Sequence, residues 1–404
     1  MNNFGTLYRY ECKKLMNRKI VWISFLLCVV VIAVSLCMPL LGGSYINGEF
    51  VDTNYNMYQI DKSYSVALSG REINQSLLDE TMTAYRKIPQ DMSIQYIMTD
   101  EYQQYARPYS AIFNFIHGTT SMQPSEVILT WQPNENDLYM QRQSWLIAMM
   151  EKKGLSEGEI NFWQEQEANI NKPLVYEEHS ACDKLLLLFQ TVGVLELMLL
   201  SISLGGVFYE EHTRKTDQII LGCSFGKTKL YWAKIATGIS FAAVSTAMIF
   251  AVTVLIAICL YGTEGFNAAF QLMYPQSSAP ITCGQAILIA YGIMLITAII
   301  ISVFVMVLSE LLHSNIATLS ISIGLLILSM VVSVPRQYRV IAQIWDWLPW
   351  SFLAPWNVFN QYTFPLLGHY FAPWQAVPII YFVISVMIAF GGKPIYQRFQ
   401  VSGR

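Results

Sequence analysis

The chain of 404 residues is 54% hydrophobic and only 13% charged, with a mean hydropathy of +0.38. Soluble domains carry about 25% charged residues, so a single soluble globular protein is excluded. The net charge of −3 says little as a total, because Lys and Arg are strongly sorted along the chain.

Residues 1–19 carry Arg9, Lys13, Lys14, Arg18 and Lys19 against one acid, Glu11. Phe4, Leu7, Tyr8, Cys12 and Leu15 fall on one side at helical spacing, with Arg9, Lys13 and Arg18 around the other. That pattern predicts an amphipathic helix lying among the headgroups of the inner leaflet; a plain basic flank with no helix is the simpler alternative. Residues 20–41 follow as 22 residues without a charge. A helix needs about 20 apolar residues to cross, because no water in the hydrocarbon satisfies a stray charge or peptide group. The run is too long for the apolar core of a signal peptide and no A-x-A site follows. Leu36 before Cys37 also speaks against lipoprotein cleavage, so an uncleaved first span is expected.

Residues 42–183 form a polar insert with 20 acidic and nine basic residues, a local net charge of −11. The length suits a small folded domain. Apolar residues from Ile73 to Ile88 predict a helix over 71–88, stopped by Pro89. A second is predicted over 134–153, stopped by Gly154; Ser156 and Glu159 then fit a capping box opening a third, through Ile170. Little alternation suggests strands, so a mostly α-helical domain is expected. Its negative surface either steers cationic ligands or simply keeps the domain soluble. The insert has no internal pair of cysteines; Cys182 and Cys283 are the two near its membrane edge, where one bridge could form.

The second span is expected at 184–208, with Glu196 well inside it. An ionised carboxylate at that depth is costly unless paired or hydrated, so Glu196 is a candidate for a translocation path, or else hydrogen-bonds a Ser, Thr or Tyr of a neighbouring span. The remaining expectations are a loop at 209–234, a span at 235–261, a connection at 262–283, a span at 284–308, a loop at 309–315, a span at 316–334, a segment at 335–374, a span at 375–392 and a tail at 393–404. Residues 335–374 hold Trp345, Trp347, Trp350, Trp356 and Trp374 and five prolines. Trp favours the interface and repeated Pro prevents a continuous span, so a re-entrant or surface segment is expected, capping an exit or only anchoring. The fold class is thus an all-α polytopic membrane protein with six spans. Arg214, Lys215, Lys227, Lys229, Lys234, Lys393, Arg398 and Arg404 lie on the side of the basic N-terminus, and 262–283 has no Lys or Arg. Positive residues are retained inside, which places both termini in the cytoplasm and the insert outside.

Residues 222–228, GCSFGKT, imitate a phosphate-binding loop but have three residues between the glycines where four are needed to ring the phosphates with N–H groups. No HExxH or CxxC is present, and the five histidines (117, 179, 212, 313, 369) do not pair at metal-ligand spacing. The chain is therefore not expected to be an enzyme, to bind a cofactor itself or to bind nucleic acid.

The basic start YECKKLMNRKIVW runs into a span, and Glu210 and Glu211 are followed by Arg214–Thr216 and LGCSFGKTKLYWAK before the third. With six spans and an outer segment before the last, this layout resembles the permease subunit of ABC-2 type exporters. Cys223 and Ser224 stand where that family commonly has Pro, and the insert is unusually large. The resemblance implies a coupling helix within 209–234 seated on a separate cytoplasmic ATPase that holds ATP and Mg2+, with Glu210, Glu211, Arg214, Lys215, Lys227 and Lys229 as candidate contacts. It also implies a second permease chain as partner, alongside membrane lipid, and a bacterial plasma-membrane location. The substrate expected from the aromatic outer segment and the acidic insert is amphipathic, an antimicrobial peptide or lipid-like molecule. Sodium efflux resting on Glu196, a sensor whose outer domain binds ligand without transport, and a membrane-embedded enzyme are the competing readings.

Overall fold

The computed structural model describes residues 3–46, 49–89, 97, 99–120, 122–213, 226 and 228–398. Among them, five helical stretches are long and apolar enough to cross a membrane. They are α2 (Lys19–Cys37) with the turn to Leu40, α9 (Ser180–Leu204) continuing towards Glu211, α11 (Lys229–Tyr261), α13 (Cys283–Leu312) and α17 (Pro373–Arg398). The segment expected as a span at 316–334 is the apolar helix α14 (Asn315–Val331), of 17 residues. At 1.5 Å per residue it is about 26 Å long, just under the roughly 30 Å of hydrocarbon. The α11 helix begins at Lys229 rather than 235, which carries Lys234 into the helix and out of the loop expected at 209–234.

Helix α13 is the centre of the bundle and packs on α17, α9 and α11. Of its most apolar window, 61% of residues are buried, against 22% for α2 at the rim. Val21, Ser24, Cys28, Ile32 and Leu36 of α2 are buried at helical spacing, while Ile23, Leu26, Leu27 and Val30 point outward. Such an outward apolar face suits contact with lipid chains. Because lipid is as apolar as Leu, the helices are held by close packing and by hydrogen bonds across the seams. Tyr231 Oη donates to the Ala389 carbonyl at 2.5 Å, Ser309 Oγ to the Gly205 carbonyl at 2.5 Å, and Tyr261 Oη to the Leu36 carbonyl at 2.7 Å.

The N-terminal segment is a helix, α1 (Asn3–Met16), folded back along α11. Tyr8 Oη donates to Ser240 Oγ at 2.8 Å, and Leu15 and Glu11 are buried in the contact. The acid therefore sits on the helix face that the sequence marks as apolar.

The insert holds α3 (Asn54–Leu68), α4 (Gln75–Tyr85), α5 (Ser110–Thr120), α6 (Pro124–Thr130), α7 (Glu135–Lys152) and α8 (Glu157–Ala168). Asn74 caps α4 by accepting the Leu77 N–H at 3.2 Å, so this helix is shorter than the 71–88 expected. Gly154, at φ +71°, ends the helical hairpin's first arm in a conformation that costs Gly least. Glu159 then accepts the Ser156 N–H at 2.8 Å, as the capping pattern anticipates. Strands β1 (Gly43–Ile46) and β2 (Glu49–Thr53) form a small antiparallel ribbon the sequence pattern misses, because a bulge at Ser44/Tyr45 breaks the alternation.

The insert does not stand alone. Arg142 on α7 is 1% exposed and donates to the carbonyls of Pro275 (2.8 Å) and Ser277 (2.6 Å), and it pairs with Glu167. Glu159 pairs with Arg339 at 2.5 Å and accepts from Thr363 Oγ1 at 2.7 Å, and Trp163 Nε1 donates to the Gln361 carbonyl at 2.7 Å. Residues 42–183, 262–283 (which hold the short helix α12, Phe270–Met273) and 335–374 thus share one cap over the bundle. The last of these contains α15 (Arg339–Asp346), α16 (Pro355–Val358) and a second ribbon, β3 (Phe364–Leu366) with β4 (His369–Phe371). Val340, Ile341 and Ile344 of α15 point outward while Ala342 and Asp346 are buried, which suits a helix lying in an interface. Cys182 and Cys283 are buried free thiols, unbridged.

Candidate functional site

At the end of the bundle where α1, residue 226 and the last turns of α17 meet, a lysine is held entirely inside the protein. Lys234 has no exposed side-chain surface. Its Nζ lies 2.7 Å from Glu211 Oε1 and 3.5 Å from Glu11 Oε2, and donates to the Val207 carbonyl at 2.9 Å. Lys14 adds a second cation to Glu211 at 3.2 Å, and Arg18 pairs with Glu210 at 2.8 Å and donates to the Ser203 carbonyl at 3.2 Å. The rings of Phe208, Tyr231 and Tyr396 stand within 6 Å of one another here, with Lys234 Nζ 5.1 Å above Phe208. Tyr396 Oη reaches the Gly226 carbonyl at 3.1 Å.

Three chain segments therefore meet at one ammonium, α1, the turn after α9 with α10 (Tyr209–Thr213) and the start of α11, and the end of α17 joins them through the Tyr396 ring. Removing one member of such a buried group leaves the others charged in a poorly solvated place, a loss of about 3–5 kcal/mol. An apolar set of equal volume would hold the segments at least as well. A charge network in this position makes their arrangement specific, and it gives the junction two alternative pairings for Glu211 and for Lys234.

Of the coupling residues expected from the sequence, Glu211 is 7% exposed and faces this cluster, Glu210 lies at its edge in the pair with Arg18, and Lys229 is exposed at the start of α11. Arg214, Lys215 and Lys227, with most of the GCSFGKT stretch, lie outside the described residues. Glu11, Lys14, Arg18 and Lys234 are partners that the sequence reading did not single out. Glu11 was discoverable, since it falls three residues after Tyr8 and four before Leu15 on the inward side of α1.

Glu196 is fully buried, and its Oε1 accepts hydrogen bonds from Ser245 Oγ at 2.6 Å and Thr246 Oγ1 at 3.0 Å, both on α11. Ser245 also borders a groove of about 270 Å3 between α1, α2 and α11, walled by Leu15, Val21, Trp22, Phe25, Phe241 and Met248. The groove is apolar, with the hydroxyls of Tyr8, Thr237, Ser240 and Ser245 along its floor. Its shape and lining suit an alkyl chain or apolar side chain with one polar group.

Of the five tryptophans singled out from the sequence, Trp374 packs 5.8 Å from Trp163 of the insert, and the other four do not form one cluster. Trp345 Nε1 donates to the Val332 carbonyl at 3.0 Å, Trp350 meets Phe304 edge to face at 5.6 Å, Trp347 stands 6.2 Å from Phe364, and Trp356 is 54% exposed. Three of them fasten the cap to its surroundings, and Trp356 is the one presented outward. Comparison with models of protein families and with curated proteins finds none that matches this chain.

Proposed function

We propose that this chain is the permease subunit of an ATP-driven exporter of the ABC-2 type. In this reading six helices span the bacterial plasma membrane, the termini and residues 209–229 face the cytoplasm, and the cap faces out. A separate ATPase subunit holds ATP and Mg2+, and a second permease chain completes the transporter. The observation that carries the reading is the buried Lys234 cluster. It ties the segment expected to meet the ATPase to α1, α9 and α11 at once. A push on that segment is then delivered to three helices as a rigid-body movement, without being absorbed in a loose loop.

The groove beside Ser245 favours an amphipathic cargo, a lipid-like molecule or an amphipathic peptide, drawn from the inner leaflet. Glu196 favours sodium less, because two hydroxyl donors already occupy its Oε1 as part of the α9–α11 seam. Topology is tested by single engineered cysteines in a chain whose own cysteines are replaced. A reagent that cannot cross membranes is expected to label a cysteine at Gln132 in intact cells and to spare one at Lys229 until the cells are opened. Labelling of Lys229→Cys alone in intact cells would invert the assignment. Cargo is tested by growth of cells lacking the transporter: sensitivity to cationic peptides or lipid-like amphiphiles is expected, and sensitivity to sodium alone would replace the amphipathic cargo with a cation.

A further inference from the structure

The cap contains a cavity of about 230 Å3 where the end of α7, the 262–283 connection and the 335–374 segment meet. Trp145, Tyr274, Trp356 and Phe359 supply aromatic walls, and Lys153 and Arg336 line it with positive charge. Among the described residues the partners of Lys153 Nζ are side-chain amide oxygens, Gln361 Oε1 at 3.0 Å and Asn360 Oδ1 at 3.3 Å. Arg336 is ion-paired with Asp346. The cavity thus sets two cations against one carboxylate, at the edge of an insert whose net charge is strongly negative.

An ammonium in that position is incompletely matched. Amide oxygens solvate it, but among the described residues no carboxylate offsets its charge at contact distance. Burial, reinforced by Arg336, pulls Lys153 down from its usual range to about 8, with Asp346 opposing. An arriving anion would supply the missing charge, and the rings around it would cover an apolar body.

We propose that this cavity is a binding site for a phosphate or carboxylate group carried on an apolar or aromatic body, with Lys153 as its charge partner. The site goes beyond the exporter reading and does not depend on it, because binding is measured on the chain alone. Such an anion can come from a soluble molecule or from a lipid headgroup at the outer face, where α15 lies beside the cavity with its apolar side exposed.

The test is isothermal titration of the full chain in phosphatidylcholine nanodiscs with phenyl phosphate, benzoate, inorganic phosphate and benzyltrimethylammonium. The two aromatic anions are expected to bind, inorganic phosphate more weakly, and the cation not at all. Lys153→Gln keeps a donor for Asn360 and Gln361 but removes the charge, and is expected to weaken phenyl phosphate about tenfold or more with unfolding temperature unchanged. Lys153→Arg is expected to retain binding.

Raising the pH from about 7 to about 9.5 is expected to weaken phenyl phosphate similarly, because Lys153 loses its proton across that interval. Over the same interval Arg336, held above its ordinary value by Asp346, stays cationic, and Tyr274, raised above its ordinary value by burial, stays neutral; Asp346 is raised by burial against the pull of Arg336. Competition by phosphatidylglycerol in the nanodisc assigns the natural ligand to the lipid, and its absence to a soluble molecule; both accord with the site. Equal binding by wild type and Lys153→Gln, binding of the cation, or no binding of either anion would overturn it.

Discussion

Lys234→Met is expected to lower the stability of the chain by about 3–5 kcal/mol, because it strands Glu211 and Glu11 without their buried cation. Lys14 remains at 3.2 Å from Glu211 and is too short of contacts with Glu11 to replace the lost ammonium for both. The same substitution combined with Glu211→Leu and Glu11→Leu removes the three buried charges, leaves Lys14 partly solvated and the Arg18–Glu210 pair intact, and is expected to regain most of the loss while the junction loses its defined pairing. Thermal unfolding of the purified chain in nanodiscs measures both. A single Lys234→Met variant as stable as wild type would mean that the cluster is not a buried charge network.

The second large effect is expected at Arg142. Its guanidinium donates to the Pro275 and Ser277 carbonyls from α7; Gln271 Nε2 also donates to Ser277, at 3.2 Å, and Lys172, at 2.8 Å, is the other cation on Glu167. Arg142→Met therefore leaves Glu167 and the Ser277 carbonyl partly compensated but takes the Pro275 carbonyl's donor away, a loss of about 3 kcal/mol, at the low end for a broken buried pair. Arg142→Lys is expected to fall between, since a single ammonium cannot reproduce the planar fork. The loss should concentrate in the cap: cleavage by added protease between 262 and 283 is expected to accelerate while the bundle helices stay protected. Unchanged cleavage in Arg142→Met would show that the insert folds independently of that connection.

The long helices were legible in the sequence because charge exclusion over about 20 residues is a signal that depends on nothing else in the chain. The Gly154 stop and the Ser156–Glu159 cap were legible for the same reason, as each is decided within one helical turn. What could not be read were partnerships across the chain. Lys234 looks like one more basic residue flanking a span until α11 is seen to start at Lys229, which moves it more than a turn inside the helix. Arg142 and Glu159 read as ordinary polar positions of surface helices, yet each also holds a partner more than a hundred residues away, Ser277 and Arg339. The Trp-rich segment was recognisable as something other than a continuous span, whereas its assembly with the insert into one cap depends on Gln361 and Thr363, which carry no signal in the sequence. Ser245 and Thr246 likewise gave no hint that they would hold Glu196, although a hydroxyl partner on a neighbouring helix was one of the two expectations for that residue.

In the proposed reading the chain does no ATP chemistry itself and passes on, through the Lys234 cluster, work received from a separate ATPase. ATP hydrolysis should therefore be measured for the purified chain alone, for the chain co-purified with its ATPase subunit in nanodiscs, and for the same complex carrying Lys234→Met with Glu211→Leu and Glu11→Leu. The expected result is no hydrolysis by the chain alone, hydrolysis by the complex that an amphipathic cargo stimulates severalfold, and loss of that stimulation in the triple variant while the complex stays assembled. Hydrolysis by the isolated chain with contaminating ATPases excluded, or full cargo stimulation in the assembled triple variant, would contradict the account.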